Sequence, residues 1–217
     1  MSDTRPLKQI LADCQRRFVD GKSDHAKPEQ RSDDLAVAPR GSPGNSTIPP
    51  SFRWATLDAP ELRQRVARER AIAEAKAALS SAGGLLLFGL SGSGKTSLAC
   101  ALLRAWGAKN GHRRGIFVPA FRLGIARAQH GLGQGEAPLV ERATTARLVV
   151  VDDLGSEGAS HASAVPEVIQ ERALAGLLTW VTTWMTPGAI AQRYGDGVAR
   201  RLYEAGRVLV VACGNAS

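Results

Sequence analysis

Aromatic side chains are scarce in this chain, at 5% of 217 residues. So few rings argue against a binder that grips single strands chiefly by stacking bases. Cysteine is scarce too. Cys14, Cys100 and Cys213 stand far apart, so neither a zinc knuckle nor a redox pair is spelled out. An odd cysteine count fits a reducing compartment. No apolar run is long enough to span a bilayer. The segment Met1-Ser2-Asp3-Thr4-Arg5-Pro6 lacks the apolar stretch of a secretion signal. A cytoplasmic protein with no membrane partner is expected.

What is present is ordinary for a globular chain, with 44% hydrophobic and 22% charged residues. The length suits one α/β core with a modest appendage rather than two large domains. Lys and Arg number 28 against 20 acidic residues, a formal charge of +8. That excess can serve a bound triphosphate, a nucleic acid, or a solvated surface.

Composition divides the chain into three parts. Leu7, Ile10, Leu11, Cys14 and Phe18 recur at helical spacing, with Thr4 as a cap and Pro6 in the first turn. Residues 1–19 are expected to form a short amphipathic helix, folded back on the main domain or docked on a partner. Residues 20–47 are rich in Asp, Ser, Pro, Gly and Lys and carry few large apolar side chains, so they are expected to be a flexible linker. Residues 48–217 read as one domain of alternating strands and helices. Strands are expected at 84–88, 115–118, 148–152, 178–183 and 208–211. Helices are expected at 97–106, 121–130 and 164–174, then after Pro187 and after Asp196. This order implies an α/β three-layer sandwich around a central, parallel, five-stranded sheet.

The chemistry concentrates at two strand ends. Gly89-Leu90-Ser91-Gly92-Ser93-Gly94-Lys95-Thr96 satisfies the phosphate-loop (Walker A) pattern G-x-x-x-x-G-K-[ST] in full, between a buried strand and an amphipathic helix. Gly89, Gly92 and Gly94 let the backbone wrap phosphates, with Ser91, Ser93 and Ser97 in the same loop and helix start. The helix N-terminus adds the positive end of its dipole. Lys95 is expected to reach the β- and γ-phosphates of ATP, and the Thr96 hydroxyl to bind Mg²⁺. The second strand end is Leu148-Val149-Val150-Val151-Asp152-Asp153, a buried run whose carboxyl end delivers two carboxylates. Asp152 is assigned to the magnesium side. Asp153 is assigned to orienting the attacking water, with Glu157 as the alternative. An Asp reaches about 1.5 Å less far than a Glu, one bond length, so hydrolysis is expected to be slow or partner-dependent.

Asp152-Asp153-Leu154-Gly155-Ser156-Glu157 resembles the corresponding segment of the DnaC/IstB group of AAA+ ATPases. So do Ile48-Pro49-Pro50-Ser51-Phe52 and Arg193-Tyr194-Gly195-Asp196 with Arg200-Arg201-Leu202. The resemblance covers about residues 48–211. It implies an AAA+ type P-loop fold, ATP and DNA binding, and an oligomer in which one subunit completes the next subunit's site. It assigns Arg201 as the trans-acting arginine finger, with Arg200 as the fallback. Thr182-Thr183 resembles the polar sensor, a role given to Thr183, because Trp184 stands where the family commonly shows Asn. Ile48 and Phe52 lie near the adenine or in the core. No C-terminal helical lid is expected, since residues 212–217 are Ala-Cys-Gly-Asn-Ala-Ser.

These features imply an ATPase accessory of DNA replication, similar to helicase loaders, partnered with single-stranded DNA and a replicative helicase. A transposition helper with a transposase partner shares the same ATP core. A nucleotide-gated binding module with negligible hydrolysis is the reading of a different class.

Overall fold

Short apolar runs bounded by glycine, proline or polar residues become strands. In a computed structural model, which describes residues 47–80, 83–110, 115–131, 133–158, 163–203 and 208–213, these are β1 (Gly84–Phe88), β2 (Ile116–Pro119), β3 (Leu148–Leu154), β4 (Leu178–Thr183) and β5 (Val208–Ala212). They form one sheet in the order β2-β3-β4-β1-β5, and every neighbouring pair is parallel. The expected strands all form, with ends moved by one or two residues. The expected helix at 1–19 and most of the linker at 20–47 lie outside the described residues, as do His112, Arg113 and Arg114, a basic run with no acidic neighbours that is a candidate for nucleic-acid phosphates.

The helices are α1 (Pro60–Arg65), α2 (Glu69–Lys76), α3 (Lys95–Lys109), α4 (Ala120–Ala128), α5 (Pro138–Thr145), α6 (Ala164–Leu174), α7 (Pro187–Tyr194) and α8 (Asp196–Leu202). Proline at the first turn starts α1, α5 and α7, where a missing N–H costs nothing. The Thr186 hydroxyl caps α7 by accepting from Ala189 N at 3.2 Å. Among the described residues no helix follows β5, and none is long and apolar enough to cross a membrane.

Strand alternation sends successive side chains to opposite faces. Leu85, Leu87, Val150 and Trp180 face α3 and pack with Leu98, Leu102 and Trp106. Leu86, Val149, Val151 and Val181 face the other way and pack with residues of α4 to α8, such as Leu123, Val140, Ile169 and Ile190. The result is the expected three-layer sandwich: helices, parallel sheet, helices.

Residues 61–74 carry Arg63, Arg65, Arg68 and Arg70, a candidate nucleic-acid stripe. Much of that charge is engaged within the fold. Glu74 pairs with Arg68 at 3.1 Å and with Arg70 at 3.0 Å. The Arg65 guanidinium lies 5.0 Å from the centre of the Trp54 ring.

One polar group inside the second core was not anticipated. Arg172 of α6 is wholly buried. Its Nη1 donates to the carbonyls of Ala143 (2.7 Å), Thr144 (3.0 Å) and Ala146 (2.7 Å). Nη2 donates to Leu178 O at 2.5 Å, and Nε to Thr179 Oγ1 at 3.0 Å. A cation is thus held at the negative end of the α5 dipole. Burial pushes this guanidinium down to about 10, so it stays charged at neutral pH. It staples the end of α5 and the start of β4 to α6. Arg172→Leu strands several buried carbonyls at about 1–3 kcal/mol each, so a loss on the order of 3 kcal/mol or more is expected in urea unfolding. An unchanged midpoint would contradict the staple.

Candidate functional site

The loop of residues 89–96 joins β1 to α3. Gly94 precedes α3 with φ +83°, a left-handed conformation that side chains disfavour. A Cβ at Gly94 would lie 2.6 Å from the Arg65 carbonyl oxygen, so the end of α1 sits directly against the loop. Gly92 is also left-handed, but a Cβ there would meet nothing within 4 Å.

Lys95 opens α3 and is buried. Its ammonium donates to Gly89 O at 2.8 Å and Leu90 O at 2.7 Å. Burial pushes it below the ordinary lysine value, opposed by Cys213, Asp153 and Asp152 nearby. Ser93 Oγ is buried with no hydrogen-bond partner among the described residues. Ser91 is exposed and Ser97 buried.

The Thr96 hydroxyl donates toward Asp152, 3.0 Å from Oδ1 and 3.3 Å from Oδ2. Asp152 shares the face of Val150, towards α3. Burial pushes its carboxyl above the ordinary range, while hydrogen bonds from Thr182 and Thr96 pull it back. β4 lies between β1 and β3, so its end stands between the loop and this acid. Thr182 uses that position: its hydroxyl donates to Asp152 Oδ1 at 2.7 Å and accepts from Asp153 N at 2.8 Å.

Thr183, the residue expected to act as the sensor, points to the other face. Its hydroxyl donates to Leu154 O at 2.8 Å and accepts from Met185 N at 3.0 Å. The structure therefore brings Thr182, and not Thr183, to the acidic pair. Strand parity carries this signal, since Thr182 shares the face of Trp180. Trp184, just past the end of the central strand β4, is half-exposed.

Asp153 is the one non-glycine residue with positive φ, +56°, among the described residues. The register shows why. Val151 pairs with Val181, but Leu154 pairs with Thr183, so β3 carries one extra residue. Val151 and Leu154 consequently share a core face three residues apart, and both aspartates are freed to the strand end. Asp153 is exposed. Its carboxyl is pushed up by partial burial and pulled down by Lys95.

Glu157, the alternative water-orienting residue, is committed elsewhere. Its carboxylate is buried and accepts from the Tyr194 hydroxyl and from Gly155 N. Arg201 donates Nη1 to Gly197 O in its own helix at 2.9 Å, and Arg200 is exposed. Ile48 is buried in the core facing α3, and Phe52 packs half-buried against that core. Burial pushes the Cys100 and Cys213 thiols up to about 12, which leaves them unreactive near neutral pH.

The donor set suits a nucleoside triphosphate with a divalent cation. A buried hydroxyl without a partner, a buried ammonium and a helix N-terminus face phosphate chemistry. A hydroxyl already touching a carboxylate suits a hard oxygen-seeking ion.

Fold and loop together define an AAA+ type P-loop protein. No family model and no curated protein sequence matches the chain. Solved structures do. The DnaC helicase loader matches with a TM-score of 0.62 and 26% identity, over 75% of this chain and 99% of that one. DnaI matches at 0.59 and 20% identity, over 76% and 95%. The replication initiator DnaA, solved with AMPPCP and single-stranded DNA, matches at 0.57 and 18% identity. The match covers 76% of this chain and 50% of DnaA, so the chain spans about half of that protein. Within the AAA+ class the chain is similar to the DnaC helicase loader, in line with the motif resemblance.

The glycines test the loop geometry. Gly92→Ala meets backbone strain alone, about 1 kcal/mol. Gly94→Ala adds a clash with the Arg65 carbonyl, and should cost at least about twice as much. Urea unfolding of both variants checks the order; equal losses would contradict the packing of α1 on the loop.

Proposed function

We propose that this chain binds ATP with Mg²⁺ at residues 89–96 and hydrolyses it, as a helicase-loader-like accessory of DNA replication. The observation that carries the reading is the Thr96–Asp152 contact beside the buried Lys95 ammonium. Lys95 would exchange the Gly89 and Leu90 carbonyls for phosphate oxygens. Thr96 and Asp152 would hold Mg²⁺, which supplies positive charge to the β- and γ-phosphates. Asp153 would orient water, and Thr182 would fix both aspartates. The arginine pair on α8 would complete a neighbouring subunit's site in a homo-oligomer, and the exposed Arg200 suits that reach as well as Arg201 does. The likeness to a helicase loader, and to an initiator solved with single-stranded DNA, supports DNA and helicase partners. Those relatives favour replication over transposition.

Three variants separate binding from chemistry. Lys95→Ala should fold and lose binding of a fluorescent ATP analogue. Asp153→Asn and Thr182→Val should retain binding and lose turnover by roughly tenfold or more. Thr183→Val should instead lose stability, by about 1–3 kcal/mol. Turnover is measured with and without single-stranded DNA. Wild-type turnover in Asp153→Asn would show that another residue orients the water; no turnover by the wild-type chain, with or without DNA, would leave a nucleotide-gated module as the better reading.

A further inference from the structure

Glu157 presents a problem in energetics. It follows β3 in a surface loop, yet the residue is 2% exposed. A carboxylate buried to that degree is costly unless its oxygens are hydrogen-bonded. Here both are. Oε1 accepts from the Tyr194 hydroxyl, and Oε2 accepts from Gly155 N at 3.1 Å. The Glu157 carbonyl accepts from Arg193 Nη2. Arg193 Nε lies 3.1 Å from the Tyr194 oxygen and 4.0 Å from Glu157 Oε1. A plain connection between β3 and α6 needs none of this.

The contacts act on the turn that carries Asp153. Ser156 N donates to Asp153 O at 3.0 Å, closing the turn. Gly155 has φ +107°, and a Cβ there would lie 2.6 Å from Met185 Sδ. The turn is therefore pressed against the residues that follow β4. The left-handed backbone of Asp153 is disfavoured for a residue with a side chain, and here it is held from two sides. Thr182 holds the Asp153 N–H, and Glu157 holds Gly155.

The other end of the contact network lies on α7. Tyr194 is its last residue. Gly195, at φ +87°, turns the chain directly into α8, which carries Arg200 and Arg201.

We propose that Glu157, with Tyr194 and Arg193, is a positioning brace that sets Asp153 and ties it to the arginine-bearing helix. Its role in turnover rests on the ATPase reading, in which Asp153 orients water. Movement of the turn is then passed to α8, and displacement of α8 by a neighbouring subunit is passed back to Asp153. The Asp-Asp-Leu-Gly-Ser-Glu and Arg-Tyr-Gly-Asp segments are two halves of one contact.

Tyr194→Phe removes one hydroxyl and keeps the ring, so it is the gentlest test. It should bind the ATP analogue within about twofold of wild type and turn over roughly tenfold slower or worse, because small displacements of a reacting group carry large rate losses. Added to Asp153→Asn, it should cause no further loss of the residual turnover, since both changes act through one carboxylate. Amide hydrogen exchange supplies a readout independent of catalysis. Exchange should rise at residues 153–157 and 195–201 and stay unchanged at 84–88. Glu157→Gln, which presents a donor to an N–H or O–H, should repeat the pattern more strongly. If Tyr194→Phe leaves exchange at 153–157 unchanged, or slows Asp153→Asn as much as wild type, the brace is wrong. If Asp153→Asn turns over normally, Asp153 does not orient the water, and if the wild-type chain turns over no ATP, the ATPase reading itself fails; in either case exchange alone decides whether the brace exists.

Discussion

The Thr96–Asp152 contact joins residues that stand 56 positions apart in the sequence. Neither β1 nor β3 touches the other, because β4 runs between them. The loop and the acid therefore meet only if three parallel strands end in register on the face that α3 covers. Phe88 pairs with Thr183, and the extra residue in β3 brings Leu154 alongside the same partner. The apolar alternation of these strands is what holds that register. A one-residue slip would turn Asp152 into the α4–α8 core and Val151 into the site. Burial of the two cores thus enforces the geometry of the chemistry.

The same constraint places the polar residues of β4. Position 182 faces the acids, and position 183 faces the second core, where its hydroxyl satisfies backbone groups. The loop beyond β3 escapes strand geometry through the left-handed Asp153, and that freedom is checked by Thr182 on one side and Glu157 on the other. The acidic pair is held from the sheet and from α7 together.

Much of this was legible in the residues. The phosphate loop, the buried strand ending in two aspartates and the order of strands and helices all come from local patterns with strong periodicity. The motif resemblance pointed to the DnaC-like fold that the solved structures match. Other features were not read. Helix α5 is absent from the expected element order, although Pro138 at its start and Val140 and Ala143 at helical spacing are local signals. Position relative to Trp184 points to Thr183, whereas strand parity points to Thr182, the residue the sheet turns toward the acids. The bulge at Asp153 depends on partner strand register, which no single segment carries. The burial of Arg172 and of Glu157 is carried by no local pattern, because it comes from elements distant in sequence.

The central claim is that the loop, Thr96 and Asp152 form one triphosphate and metal site, with Lys95 poised to change partners. A crystal structure of the full chain with AMPPCP and magnesium tests it most directly. The account predicts phosphate density cradled by residues 89–96, a metal peak beside Thr96 Oγ1 and Asp152, and the Lys95 ammonium moved from the Gly89 and Leu90 carbonyls to phosphate oxygens. Nucleotide bound elsewhere, or Lys95 still on those carbonyls with the loop filled, would contradict it.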